Sequence, residues 1–379
     1  MRWAAFNPPN ESLLSGYFPL TLTEWCLMIQ THGYAAQSST SAPEPFEYQH
    51  RDPGPNDVHI KIDFCGICHS DIHQARNEWA NAMYPMVPGH EIVGRVKQVG
   101  PAVTRFKAGD LAAIGCMVDS CRVCASCKAG EEQYCDNSAT IFTYNSKDKE
   151  GNITFGGYAD NIVADEAFVL KVPSNLDPAA TAPLLCAGIT TYSPLKHWKA
   201  GPGKKIGVIG LGGLGHMALK FSHAFGATTV QFTTSPSKIE DAKKLGADEV
   251  ILTKSPDWHM PHLRTFDFIL DCVSAEHDLA PYLALLKRDG TLCTVGLPSA
   301  PIAINAFSVA GGRKNFTGSA IGGIRETQEM LDFCGEHNIV SDIEMTSFDK
   351  LEEAWDRVVK ADVKYRFVLD LKTLKNAPR

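Results

Sequence analysis

No run in the 379-residue chain approaches the roughly 18 consecutive apolar residues needed to cross a bilayer, so a transmembrane helix is not expected. Positive charge is also scarce: 36 Lys and Arg face 43 Asp and Glu, a formal charge of −7. That balance argues against a nucleic acid or an anionic membrane as the main partner. An export or transit signal is not expected either. Residues 1–33 carry only Arg2 as an early positive charge, Pro8, Pro9 and Pro19 interrupt them, and Glu24 breaks the stretch Leu20 to Ile29. The expectation is a flexible N-terminal extension over 1–33, with Met28 as an alternative start and the reducing cytoplasm as the default compartment. Internal repeats and low-complexity tracts are absent. With 44% hydrophobic and 21% charged residues the composition is that of a globular chain, not a disordered one. Cysteine is what the chain does have. Its 12 cysteines are too sparse for a secreted disulfide scaffold of this length, so their spacing decides between buried thiols, redox sites and metal.

Organisation follows from pattern. A Pro-rich lead-in from about Ala42 to Asp57 precedes Val58-His-Ile60-Lys-Ile62-Asp-Phe64, which alternates apolar and polar residues at the period of a half-buried strand. Short Val/Ile-rich runs with regular turns continue through Val172-Pro173, predicting a partly open antiparallel barrel. Near Ala187 the character changes. The strand-like KKIGVIG (204–210) leads into Leu214, Met217, Ala218, Phe221 and Phe225, which share one helix face. Strands over 228–234, 250–253, 266–273, 291–296 and 315–322 then alternate with helices over 237–245 and 279–286. That alternation means a parallel, doubly wound sheet. After Gly323 come helices over 327–337 and 351–360 and a strand-like tail, RFVLDL, that can return to complete the first domain. The expected division is 34–186 with 324–379 as one domain, carrying a metal lobe over 116–137, and 187–323 as the other.

Cys121, Cys124, Cys127 and Cys135 place four thiols within fifteen residues. Such spacing predicts a closed tetrahedral zinc site that holds together a loop too short for a core of its own. Unligated buried thiols and an iron–sulfur site are the alternatives; the Cys-Pro ending frequent in bacterial cluster motifs is absent. Four thiolate ligands leave no open position, so this metal stabilises rather than catalyses.

A second constellation is spread out: Cys65, Cys68, His69, Ser70, Asp71 and His73, then Gly89-His90-Glu91, then Cys186 at the domain change. Each piece is weak alone, and spacing does not single out Cys186 from the remaining cysteines. Gly210-Leu211-Gly212-Gly213-Leu214-Gly215 satisfies G-x-G-x-x-G between a strand and a patterned helix, the context in which helix-start N–H groups receive a pyrophosphate. At the end of the next strand, where NAD sites usually place Asp or Glu, stand Thr233, Thr234, Ser235 and, three residues on, Lys238. Hydroxyls plus a cation accept a 2′-phosphate that an acid would repel.

The segments GICHSDIHQ, VPGHEIVGRV, GCMVDSCRVCASCKAGEEQYC, PLLCAGIT, GLGGLGH and GSAIGG resemble the zinc-dependent medium-chain alcohol dehydrogenases. The likeness is strongest to the cinnamyl-alcohol-dehydrogenase-like branch with its bacterial aldehyde-reductase relatives, and runs from about Tyr34 to Leu371. It implies a GroES-like partly open β-barrel catalytic domain beside a Rossmann cofactor domain. It makes Cys68, His90 and Cys186 the catalytic zinc ligands, with Cys65 a bystander. Glu91 matches a residue able to approach the metal; a structural carboxylate paired with a cation is the alternative. Asp71 matches the carboxylate that orients the ligand histidine, while a helix cap is its plainer role and both can hold. Ser70 and His73 match the inner and solvent ends of a proton relay, though His73 taken singly would be a surface histidine.

The same resemblance puts Thr190, Val273, Gly296, Leu297, Ser319 and Ile321 near the nicotinamide or its ribose. It also puts Gln74, Trp79, Cys116, Phe142 and Ala320 around the substrate. Phe142 and Ala320 depart from the plant pattern, which favours a broad aromatic or medium-chain aldehyde range. The activity implied is reversible, zinc-dependent, NADP(H)-linked reduction of aldehydes to primary alcohols, with two Zn2+ per chain and a homodimer built through the cofactor domains. An NAD-linked alcohol or polyol dehydrogenase is the competing enzyme. A zinc-ribbon nucleic-acid-binding protein is the competing non-enzyme, disfavoured by net charge and by the lack of a basic, aromatic-interleaved patch.

Overall fold

The computed structural model describes residues 28–298 and 300–374. Two large sheets organise them. The first contains Asp57–Ile67 at its centre, in the order Ile343–Thr346, Arg366–Asp370, Asp57–Ile67, Ile92–Val99, Leu111–Ile114, Leu170–Lys171, with Asn161–Asp165 paired to the central strand off that path. Its alternation is read out as anticipated: Val58, Ile60 and Ile62 are buried while Lys61 is exposed. The pairings are antiparallel except for the parallel pair Ile343–Thr346 with Arg366–Asp370. The strand path is open, so this sheet is a mixed, partly wrapped one and not a closed barrel. The tail Arg366–Asp370 does return, pairing antiparallel to Asp57–Ile67.

The N-terminal expectation needs correction where it overlaps the described chain. Ile29–Ala35 is a strand paired with Glu44–His50, and Gly33 bridges to Ala159. Residues 29–33 therefore belong to the folded body, because Thr31 and its neighbours bury against it and find backbone partners. The rest of the anticipated extension, 1–27, lies outside the described residues.

The second sheet is six-stranded and wholly parallel, ordered Glu249–Leu252, Thr228–Thr233, Lys205–Ile209, Phe266–Asp271, Leu286–Thr294, Asn315–Gly318. In chain order this is 3-2-1-4-5-6, the doubly wound arrangement whose direction reverses beside the first strand. Helices Gly213–Ala224 and Ala187–His197 pack against it. Val93, Ala113 and Leu170 of the first sheet share one apolar cluster with Ile206 and Val208 of the second and with Met217 of the helix Gly213–Ala224, so the two sheets are joined by a continuous core. The crossover helix Ile324–His337 buries Met330, Leu331 and Cys334 in the same cluster.

Candidate metal centres and cofactor cleft

The central strand ends at Ile67, and Cys68 caps the helix His69–Ala75 that follows. This short helix starts where it does because Asp71 accepts the Cys68 backbone N–H at 2.9 Å. The other Asp71 oxygen lies 3.0 Å from His90 Nδ1 and accepts the Gly89 N–H at 3.1 Å, and Tyr158 Oη stands 3.4 Å from Asp71 Oδ2. One fully buried carboxylate thus makes both contacts anticipated for it, capping the helix and holding the imidazole. Gly89 presents His90 and Glu91 at the start of Ile92–Val99, and Cys186 begins the helix Ala187–His197.

The ligand atoms of Cys68, His90, Glu91 and Cys186 lie within 4.8 Å of one another, and all four residues are buried. Cys68 Sγ and Cys186 Sγ are 3.9 Å apart. A tetrahedron with metal–sulfur arms of about 2.3 Å has edges of about 3.8 Å, so the thiol spacing suits zinc. Charge points the same way. The hydrogen bond from Cys186 draws the Cys68 thiol well below its ordinary range, against burial and with help from Arg366 and His90. Cys186, sharing hydrogen bonds with Cys116 and Cys68, is pushed well above it. Crowded thiols cannot all ionise together unless a cation sits among them. Burial would leave His90 neutral, but the Asp71 carboxylate together with Cys116 and Cys68 raises its proton affinity well above the ordinary range.

Glu91 is fully buried, and burial pushes its carboxyl up to about 8 despite Arg366. Arg366 Nη2 lies 3.2 Å from Glu91 Oε1 without hydrogen-bond alignment, so both carboxylate oxygens lack a hydrogen-bond partner among the described residues. A buried carboxylate left this way fits a cation in the cluster. Arg366 also reaches the other side: a side chain at Gly213 would meet its Nε at 3.0 Å. One buried guanidinium therefore spans the thiol cluster and the glycine loop. Sequence reasoning missed it. The available signal was an arginine heading the apolar strand RFVLDL.

Ser70 is half-buried with its Oγ 3.6 Å from Cys68 Sγ. His73 pairs through Nδ1 with Glu78, its ring lies beside Trp79, and its Nε2 has no hydrogen-bond partner among the described residues. The five anticipated pocket residues are less coherent. Cys116 adjoins the cluster, Gln74 accepts from Asn145 at 2.6 Å, and Trp79 packs on His73. Phe142 is 46% exposed on a two-residue strand beside Met117, and Ala320 is exposed with its N–H on Tyr134.

At the carboxyl edge of the parallel sheet, Gly210 has φ +86° and Gly215 packs so closely that a Cβ would stand 2.0 Å from the Gly210 carbonyl. Only glycine fits such a strand-to-helix turn. The helix Gly213–Ala224 opens with no side-chain cap, leaving first-turn N–H groups for a ligand. Val273 touches both Gly210 and Gly296, the Leu297 N–H donates to Ser274, and the Ser319 N–H donates to the Thr294 carbonyl. Ile321 follows on the same strand end, and Thr190 is buried one turn into the helix after Cys186. Beyond Thr228–Thr233, Thr233 is buried and Thr234 exposed, while Ser235 pairs with the hydroxyl of Ser237, a neighbour not anticipated. Lys238 Nζ donates to the Leu211 carbonyl at 2.9 Å, which brings the cation to the glycine loop.

The second thiol cluster is local. Cys121, Cys124, Cys127 and Cys135 lie within 4.8 Å, with Cys121–Cys127 at 3.8 Å and Cys124–Cys135 at 3.9 Å, again the edges of a zinc–sulfur tetrahedron. Backbone N–H groups of Cys124 and Cys127 donate to Cys121 Sγ and Cys124 Sγ at 3.4 Å. Backbone donors at Val123 and Cys124 draw the Cys121 thiol down to about 6.

Comparison with known proteins agrees with this geometry. The alcohol dehydrogenase GroES-like domain model matches residues 54–174 and the zinc-binding dehydrogenase model matches 213–336. An aldehyde reductase of Escherichia coli, YahK, is 53% identical over 341 residues, 89% of this chain and 97% of that protein. The structure of a cinnamyl alcohol dehydrogenase from Sorghum bicolor superposes with TM-score 0.89 at 44% identity, covering 93% of this chain and all of that one. A Helicobacter pylori enzyme of the same kind, solved with NADP(H), superposes with TM-score 0.86 at 40% identity over 92% of this chain and 100% of its own. The chain belongs to the zinc-binding alcohol dehydrogenase family.

Proposed function

We propose that the protein reduces aldehydes to primary alcohols with NADPH, reversibly, using Cys68, His90 and Cys186 to hold one zinc and Cys121, Cys124, Cys127 and Cys135 to hold a second. The observation that carries this reading is the mixed thiol–imidazole cluster lying across Arg366 from the glycine loop. When bound, zinc in that cluster supplies Lewis acidity toward a carbonyl oxygen and NADPH supplies the hydride. The remaining tasks fall to the chain. Asp71 fixes the His90 ring so that its other nitrogen faces the thiols. Ser70, next to Cys68, delivers the proton that the reduced oxygen takes up. His73, with its unpartnered Nε2 buried and its Nδ1 on the exposed Glu78 carboxylate, resupplies it from the solvent side. Arg366 offsets the charge of Glu91 and offers positive charge to the helix-start anion site. Gln74, Trp79, Cys116, Phe142 and Ala320 line the substrate side, and Thr190, Val273, Gly296, Leu297, Ser319 and Ile321 the nicotinamide side.

Preference for NADPH rests on Thr233, Thr234, Ser235 and Lys238, with no acid until Glu240. The test is initial rates of benzaldehyde reduction with each cofactor. NADPH is expected to exceed NADH by about tenfold or more in kcat/KM, the worth of a charge-assisted contact to the 2′-phosphate. A clear NADH preference would overturn it in favour of an NAD-linked dehydrogenase. The domain division 34–186 with 324–379, and 187–323, is retained as a reading with its start moved to Ile29. A homodimer through the cofactor domains is supported by the free outer edge of Asn315–Gly318 and by exposed Leu297 and Phe307, 59% and 87% accessible. No described helix is long and apolar enough to cross a membrane. The eleven cysteines among the described residues form no disulfide with one another, which fits a reducing compartment such as the cytoplasm.

A further inference from the structure

The four-cysteine lobe touches the cofactor edge of the parallel sheet through a reciprocal set of caps. The crossover helix Ile324–His337 has no capping side chain of its own at Gly323. Its first N–H, at Ile324, instead donates to Glu132 Oε2 at 3.0 Å, from a residue 192 positions away and inside the Cys127–Cys135 loop. In return, the Arg325 guanidinium donates to the Ala129 carbonyl at the end of the lobe's short helix Ala125–Ala129. Tyr134, directly before Cys135, accepts the Ala320 N–H at 3.0 Å. Backbones approach so closely that a Cβ on Gly323 would stand 1.8 Å from the Gly130 carbonyl.

Between the two anchored amides, Ala320 and Ile324, sits Ile321 at φ +41°. A β-branched residue in the left-handed region is strained and persists only where its surroundings hold it. The two side-chain anchors, Tyr134 before it and Glu132 after it, both come from the lobe, while the Ser319 N–H holds to the Thr294 carbonyl of the sheet. Ser319 and Ile321 are the residues read above as facing the nicotinamide. We propose that Glu132 and Tyr134 are positioning residues: the thiol-bound metal fixes the loop that carries them, and they hold the strained 319–324 segment in the form that receives the nicotinamide end of the cofactor. The lobe's metal then governs more than the lobe's own folding. This rests on the NADPH-linked reading for its catalytic consequence but not for the anchoring itself.

The experiment uses the full-length protein and the variants Tyr134→Phe, Glu132→Ala, Glu132→Gln and the double variant Glu132→Ala/Tyr134→Phe. Three readouts are combined: zinc per chain, amide exchange over 315–330, and binding of NADPH and of 2′,5′-ADP, a probe of the adenosine end alone. In the double variant, exchange over 315–330 is expected to accelerate about tenfold, NADPH affinity and kcat to fall about tenfold, and 2′,5′-ADP affinity and zinc content to stay as in the wild type. Glu132→Gln keeps a carbonyl acceptor and should restore most of the loss. Tyr134→Phe alters a half-exposed ring and folds even if Glu132→Ala does not, with a smaller change in the same direction. Unchanged exchange in the double variant, or an equal loss of 2′,5′-ADP binding, overturns the proposal. If the wild type binds no NADPH, the functional reading fails, and the exchange result still decides the anchoring.

Discussion

The two cysteine clusters contain similar atoms at similar spacing, yet they are built in opposite ways. The lobe draws its four thiols from fifteen consecutive residues and orients them with its own backbone, through N–H donors at Cys124 and Cys127. The buried centre draws Cys68, His90 and Cys186 from three separated segments and orients them with side chains: Asp71 beneath His90, Tyr158 on Asp71, Arg366 on Glu91. A contiguous, all-sulfur set closes its metal and supports structure. A dispersed, mixed set backed by a buried carboxylate leaves room for a reacting oxygen. The lesson is that supporting groups, more than the ligands, distinguish a stabilising metal from a working one.

The comparison breaks most visibly at the ligands. Cys68→Ser should lower kcat/KM for aldehyde reduction by about a thousandfold or more, the scale of a lost Lewis acid, with folding retained. Cys135→Ser should instead release the lobe: cleavage by protease within 116–137 becomes rapid and the melting temperature drops, because metal binding there is folding energy. Similar phenotypes for these two variants would erase the distinction. Next in size is Asp71→Asn, which keeps the cap partly but weakens the hold on His90. Zinc affinity or activity at the buried centre should fall 10- to 100-fold, roughly the usual cost of such a change, and lobe zinc should be untouched.

The effect that is smallest near neutral pH lies outside both clusters. His216 is fully buried between the Gly212 carbonyl and Ser341, and burial, with Lys220 and Arg366 nearby, lowers its pKa to about 3. The unfolded chain takes up this proton below the ordinary value of 6.5, whereas the folded chain does not. Its contribution to stability is therefore complete above that value and is lost as pH falls toward 3, at up to about 1.4 kcal/mol per pH unit. Urea melts across that range should show a shallower slope for His216→Gln; an unchanged slope would assign the acid sensitivity to the metal centres instead.

Much of this is legible in the sequence alone, wherever the information is local. Alternation in Val58–Phe64, the glycine loop and the Cys121–Cys135 spacing each depend on neighbours in sequence. Cys68, His90 and Cys186 were legible only through family resemblance, since nothing in their spacing selects them. Arg366, Tyr158 and Glu132 stayed hidden because their roles exist only after distant segments meet: Arg366 with Glu91 and Gly213, Glu132 with Ile324. Residues 29–33 of the strand Ile29–Ala35 read as part of an extension because pairing with Glu44–His50 makes them a strand more than their own composition does.

The central claim, two zinc sites with separate duties, is met most directly by elemental analysis of the purified wild type and of Cys68→Ser. Two zinc atoms per chain in the wild type and one in the inactive, folded variant are predicted. One or none in the wild type, or a fully active Cys68→Ser, would contradict it.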